Sequence, residues 1–202
     1  MENMKLPTKM LALLSAFGLT GCAATGVDYL IMPPMGVGWK LGRQWEQREV
    51  QHLKEFVREG ETLDNWTDLI TWHTLRKGST PFPLETLLNS QREAIRAICP
   101  SLVWNIIERK ERAVLYEWRI SNCKPSKAEL EKLAKGQGAI RPDPKVVLEK
   151  FTADQHAIDL YIEGEWTIWR ISYTAKVKEL AKEKRAEWIQ WLSDAKVETK
   201  SR

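Results

Sequence analysis

Histidine and cysteine are scarce in this chain, three of each among 202 residues. None of His52, His73 and His156 stands at ligand spacing from Cys99 or Cys123, so the sequence gives a metal site no basis. It contains no G-x-S-x-G, no Ser-x-x-Lys in an enzyme-like frame, no phosphate-cradling loop and no Rossmann fingerprint. Those gaps remove the common routes to nucleophilic, nucleotide-dependent and metal-assisted catalysis, and no cofactor is expected. Like charges do not cluster, and a formal net charge of +4 is too small to argue for nucleic acid as a partner. No apolar run approaches the roughly 20 residues that cross a bilayer as a helix.

What the chain does have begins near its first residue. Lys5 and Lys9 precede a short apolar run through Met10, Leu11, Leu13, Leu14 and Phe17, and small residues follow. A basic n-region, a short h-region and a small-residue cleavage point describe a secretory signal peptide over residues 1–21. Directly behind it stands Cys22. Leu19-Thr20-Gly21-Cys22 resembles the bacterial lipobox, in which an apolar residue and two small ones precede an invariant cysteine. The resemblance implies a mature chain that starts at Cys22, is acylated there on thiol and amine, and is held to a membrane by those acyl chains. Each buried methylene contributes about 0.8 kcal/mol, and two lipid signals suffice for stable anchoring. With Ala23 rather than Asp behind the cysteine, the same resemblance implies an outer-membrane lipid anchor facing the periplasm.

Without residues 1–21 the formal charge becomes +3, and about 180 residues remain, enough for one core. Residues 22–38 read as a lipidated tether, because 23–34 are small, apolar and proline-containing. Residues 39–202 read as a single domain. In the oxidising compartment that the lipobox implies, Cys99 and Cys123 favour a disulfide. Closing that loop would stabilise the fold by about 3 kcal/mol in the chain-entropy model. Two buried thiols or a metal pair are the alternatives.

Residues 50–57 alternate at a modest period of two, a strand with a polar face, ended by Glu59-Gly60-Glu61. Thr62 is placed to cap a single helical turn carrying Leu63 and Trp66. Residues 68–75 read as a strand with Leu69, Thr71, His73 and Leu75 on one face and Ile70 and Trp72 on the other. After Pro81 and Pro83, Leu84, Leu87, Leu88, Ile95 and Ile98 recur at helical spacing until Cys99-Pro100. Residues 102–107 and 113–120 read as a hairpin, as do 155–163 and 165–174 around Gly164. Between the hairpins Ser126-Lys127-Ala128-Glu129 matches a capping box, and 126–144 reads as an inserted helix and loop. Residues 175–192 carry Val177, Leu180, Ala181, Trp188, Trp191 and Leu192 along one helical face. The expected fold class is α+β, an antiparallel sheet built from hairpins packed against helices in one disulfide-bridged domain.

Ten tryptophans suit either a stacking platform for sugars or peptides, or a core. Trp66, Trp72, Trp104, Trp118, Trp169, Trp188 and Trp191 occupy or adjoin periodic apolar positions and read as core. Trp39 and Trp45 do not, and are the better surface candidates. Glu163 and Glu165 suit an exposed hairpin tip rather than a paired-carboxylate site, and His73 and His156 read as structural. Lys178, Lys182 and Arg185 give the C-terminal helix a cationic side. Together Trp39, Trp45, Lys178, Lys182 and Arg185 are the candidate partner surface.

Gly38-Trp39-Lys40-Leu41-Gly42, the run Glu59-Gly60-Glu61-Thr62-Leu63-Asp64-Asn65-Trp66-Thr67, Cys99-Pro100 and Ile171-Ser172-Tyr173 look like segments of small uncharacterised proteobacterial lipoproteins. In those a Cys-Pro and a later cysteine bracket a hairpin. The resemblance carries no activity and no functional residues. This chain departs from it at residues 124–144 and in its longer, basic C-terminal helix. The expectation is a non-catalytic binding or assembly module whose partner is an envelope protein or complex. An accessory lipoprotein of a secretion or conjugation apparatus, or an envelope hydrolase, are the alternatives.

Overall fold

The computed structural model describes residues 26–47, 51–77, 83–123 and 153–201. The expected signal peptide over 1–21, Cys22 and the expected capping box and inserted loop within 124–144 lie outside the described residues. In chain order the elements are β1 (Gly26–Ile31), β2 (Trp39–Gln47), β3 (Gln51–Arg58), β4 (Asp68–Arg76), α1 (Leu84–Ile98), β5 (Val103–Lys110), β6 (Ala113–Ile120), β7 (Gln155–Glu163), β8 (Thr167–Ala175), α2 (Lys182–Ser193) and β9 (Lys196–Ser201). Seven strands make an antiparallel sheet in the order β2-β3-β4-β8-β7-β6-β5. β1 and β9 pair antiparallel as a second sheet. The class is α+β, with a Cys99–Cys123 disulfide across a Cα separation of 4.9 Å.

Two meanders, β2 to β4 and β5 to β8, meet where β4 pairs with β8. α1 carries the chain from the middle of the sheet to its far edge. Both faces of the central strands are covered, so β7 and β8 are buried almost continuously rather than alternately. On one face Tyr116, Trp118, Ala157, Tyr161 and Ile168 pack with Leu88 and Ile95 of α1. On the other, Ile70, Ile158, Leu160, Ile171 and Tyr173 pack with Trp188 and Leu192 of α2, and Leu30 of β1 joins them. Pro83 occupies the N-cap position of α1, where its missing N–H costs no helical bond. The helix ends as Cys99 donates its N–H to the Ile95 carbonyl at 2.8 Å, and the disulfide ties that end to the chain leaving β6.

The edge strands β2 and β5 each carry a register shift, between Leu41 and Arg43 and between Ile106 and Glu108. An extra residue twists an edge away from further pairing. In β2 it also reverses which face later side chains take. Gly42 sits at the bulge, where a β-carbon would lie 3.2 Å from Leu63.

Five segments differ from the sequence reading; one is β2, since residues 39–47 are not read as a strand yet pair with β3. The expected helix over 175–192 starts only at Lys182. Ala175 is the last residue of β8, paired with both Asp68 and His156, and Lys176 donates its N–H to the Thr67 carbonyl at 2.8 Å. Two ladders thus hold a stretch whose apolar spacing looks helical. Within the stretch expected to be a tether, Gly26–Ile31 is a strand, because β9 supplies its partner. β9 itself has too little apolar alternation to stand out. Thr62 does accept the Asn65 N–H at 3.3 Å as a cap would, but the chain there only bends. Leu63 and Trp66 instead close over Val57 and Leu69.

Candidate functional site

The strand registers place Arg43, Glu55, Thr71, Ser172, Asp159 and Tyr116 abreast, a polar row across six strands on the face that α1 covers. Asp159 is its centre and is fully buried. Its Oδ2 accepts from Trp118 Nε1 at 3.2 Å, Gln91 Nε2 at 3.1 Å, and Arg170 Nε and Nη2 at 3.1 and 2.8 Å. The Ser172 hydroxyl donates to Oδ1. The Tyr116 hydroxyl lies 2.8 Å from both Asp159 Oδ2 and Gln91 Oε1, and Tyr161 donates to the latter at 3.0 Å. Gln91 stands on the buried stripe of α1 with Leu88, Ile95 and Ile98, so a single polar residue in that stripe caps the cluster.

Burial and the Asp159 charge push the Tyr116 phenol well above its ordinary range. Burial would lower the Arg170 pKa, but the Asp159 charge more than reverses this. Beside Arg170 in the register stands His73, whose pKa burial and the Arg170 charge depress to about 4. The Asp159 carboxylate is held by a guanidinium and four further donors and is closed off from solvent. The cluster is a buried ion pair with its hydrogen bonds satisfied.

A second cluster lies on the opposite face. Asp68 accepts from the Tyr173 hydroxyl at 2.5 Å, Lys184 Nζ at 3.0 Å and Arg58 Nε at 3.4 Å. Burial would raise its pKa, but those bonds and the charges of Lys184 and Arg58 lower it. Around it, Trp188 stacks on Tyr173 at 3.9 Å and meets Trp39 edge-on at 5.9 Å and Trp191 at 5.2 Å. The Arg58 guanidinium sits 4.0 Å over the Trp39 ring. In a third cluster Glu117 accepts from Arg185 Nε at 2.7 Å and Asn105 Nδ2 at 3.2 Å, and His156 Nε2 is 3.3 Å away. Burial works against ionisation of Glu117, yet the Arg185 and Asn105 hydrogen bonds and the Arg185 charge bring its pKa down to about 2.

The five candidate surface residues do not form one patch. Trp39 is half-buried against Trp188, and the β2 bulge turns the half-buried Trp45 to the other face. Arg185 is engaged by Glu117, whereas Lys178 and Lys182 are exposed. Of the tryptophans, Trp66, Trp118, Trp169 and Trp188 are buried, Trp72, Trp104 and Trp191 are half-buried, and Trp166 is exposed. Sequence reasoning passed over Asp159, Arg170 and Gln91. The available signal was a lone acid inside the apolar strand His156-Ala157-Ile158-Asp159-Leu160-Tyr161-Ile162, and a polar residue at the position in α1 where the apolar stripe should continue.

Two small clefts open on the described surface. One, of about 70 Å³, lies between Leu115, Leu160 and Leu192, and the other, of about 110 Å³, between Val103, Arg119 and Lys178. Neither is lined by a tryptophan or a histidine. Among the described residues no group of three or more His, Cys, Asp or Glu side chains could hold a metal, and no helix is long and apolar enough to cross a membrane. No protein-family model, curated protein or solved structure gives a significant match to the chain.

Proposed function

We propose that the chain is a lipid-anchored protein of the bacterial cell envelope, acylated at Cys22, that faces the periplasm and acts as a non-catalytic binding or assembly module. The lipobox resemblance supports the anchor. One structural observation supports the absence of catalysis: Asp28, Glu55, Asp68 and Asp159, the buried carboxylates among the described residues, all accept hydrogen bonds from partners inside the fold. A hydrolytic acid needs a lone pair or proton open to substrate. The buried acid–histidine contact, His156 with Glu117, is likewise occupied by Leu180 and Arg185.

The partner-facing side of this reading is edge strand β2 and the bend before it, where Leu41 and Val37 are 51% and 98% exposed on either side of Trp39. A photo-crosslinking residue in place of Leu41, activated in intact envelopes, should give one discrete adduct that Leu41→Glu in the unlabelled competitor fails to suppress. No adduct would remove β2 as the binding edge. Turnover of cell-wall polymer by the purified protein would replace the module with an enzyme.

A further inference from the structure

The two-stranded β1–β9 sheet turns one face inward and one outward. Asp28 is buried, accepting the Trp166 N–H and the Thr199 hydroxyl at 2.6 Å each, and Leu30 packs into the core. Alternation along the strands therefore sends Val27, Tyr29 and Ile31 outward, beside Lys196, Glu198 and Lys200 of β9. Tyr29 and Ile31 are 48% and 43% exposed, and Lys200 Nζ lies 5.2 Å over the Tyr29 ring. At the Gly26 end stands the exposed Trp166, so close that a side chain on Gly26 would collide with its indole.

We infer that this outward face rests on a membrane surface bearing anionic lipid headgroups. The inference deepens the lipid-anchor reading and rests on it. Only Ala23, Ala24 and Thr25 separate Cys22 from β1. Four Cα–Cα steps reach about 14 Å at full extension. An acylated Cys22 therefore holds β1 against the headgroups instead of on a long leash. What β1 and β9 present there is the composition that favours an interface: an aromatic ring with a polar tip, aliphatic neighbours and two lysines against one glutamate.

The test uses the membrane-extracted protein in vesicles of phosphatidylethanolamine and phosphatidylglycerol with brominated acyl chains. Intact mass reads the acylation, and tryptophan quenching by the brominated lipid independently reads the face. Tyr29→Trp places a reporter on the outward face, and added quenching in that variant, lost again when Ile31→Glu and Lys196→Glu are introduced at unchanged acyl mass, supports the inference. No added quenching in acylated Tyr29→Trp, or quenching that the two glutamates leave unaltered, overturns it. Equal quenching in phosphatidylcholine vesicles overturns the anionic preference. A protein without acyl mass overturns the anchor alone, and the face is then decided by whether vesicle association still depends on Tyr29 and Ile31. If the face is shielded in intact envelopes yet unquenched in vesicles, it belongs to a protein partner and the inference fails.

Discussion

The backbone N–H of Leu180 donates to Nδ1 of His156 at 2.9 Å. That bond fixes the ring with its proton on Nε2, toward Glu117, and attaches the connector between β8 and α2 to the sheet. Burial depresses the His156 pKa, the hydrogen bond and charge of Glu117 oppose this, and the charges of Arg119 and Arg185 add to the depression. A second proton would have to displace the Leu180 N–H. The stability this histidine contributes is therefore complete above its unfolded pKa of about 6.5 and is lost as pH falls through the lower folded value. The prediction is that the Leu180 amide protection factor drops on acidification while those of β8 persist. Equal loss along β8 would mean that the connector has no separate opening.

His73 gives a second acid-side prediction. With a folded pKa of about 4, the folded state resists protonation between about 6.5 and 4, and stability falls over that window. His73→Gln should flatten the dependence there by at most about 3 kcal/mol. Urea midpoints across the range measure it, and an unchanged slope would show that the imidazole titrates freely.

Asp159→Asn leaves the Arg170 guanidinium without its counter-charge inside the sheet, where Arg170 is 24% exposed. Removing one partner of a buried pair costs about 3–5 kcal/mol. Ser172→Ala, which removes one donor, should cost about 1 kcal/mol. Equal effects from the two substitutions in denaturant titrations would contradict the ranking of charge over hydroxyl.

Non-reducing peptide mapping should recover the peptides of Cys99 and Cys123 joined. Replacing both with serine is expected to lower stability by about 3 kcal/mol, since the bridge closes a separation of 24 residues. Complete alkylation of both thiols without reductant would rule the bond out in solution.

Cys22→Ser should leave a precursor that keeps its first 21 residues and carries no acyl mass. A wild-type mature chain beginning elsewhere would end the lipid-anchor proposal.

Strands whose two faces differ in polarity were legible in the sequence. β4 shows Leu69, Thr71, His73 and Leu75 on one side because the sheet alternates there. The pause at Glu59-Gly60 was legible too, and Gly60 takes a φ of +86° that suits glycine. Segments whose structure depends on a distant partner were not. Gly26–Ile31 sets Asp28 among apolar residues without a clear alternation and is followed by Pro33-Pro34, and only β9 makes it a strand. The stretch after Ala175 has helical spacing, yet Thr67 and His156 determine its path. The Asp159 cluster draws Gln91 from α1, Tyr116 from β6 and both Ser172 and Arg170 from β8, and their convergence follows from strand order, which local periodicity does not encode.

The pairing of Gly26 with Ser201 also sets an order of events. β1 precedes both meanders in the chain, but its complement β9 follows them. Until β9 emerges, β1 lacks its partner, while the meanders β2 to β4 and β5 to β8 can already assemble from neighbours. β1 thus stays unpaired until both meanders have been made, and its inward face is covered only once β9 follows. A stop codon at Lys196 would leave β1 permanently open, and a protease should then cut within 26–31 while sparing the seven-stranded sheet.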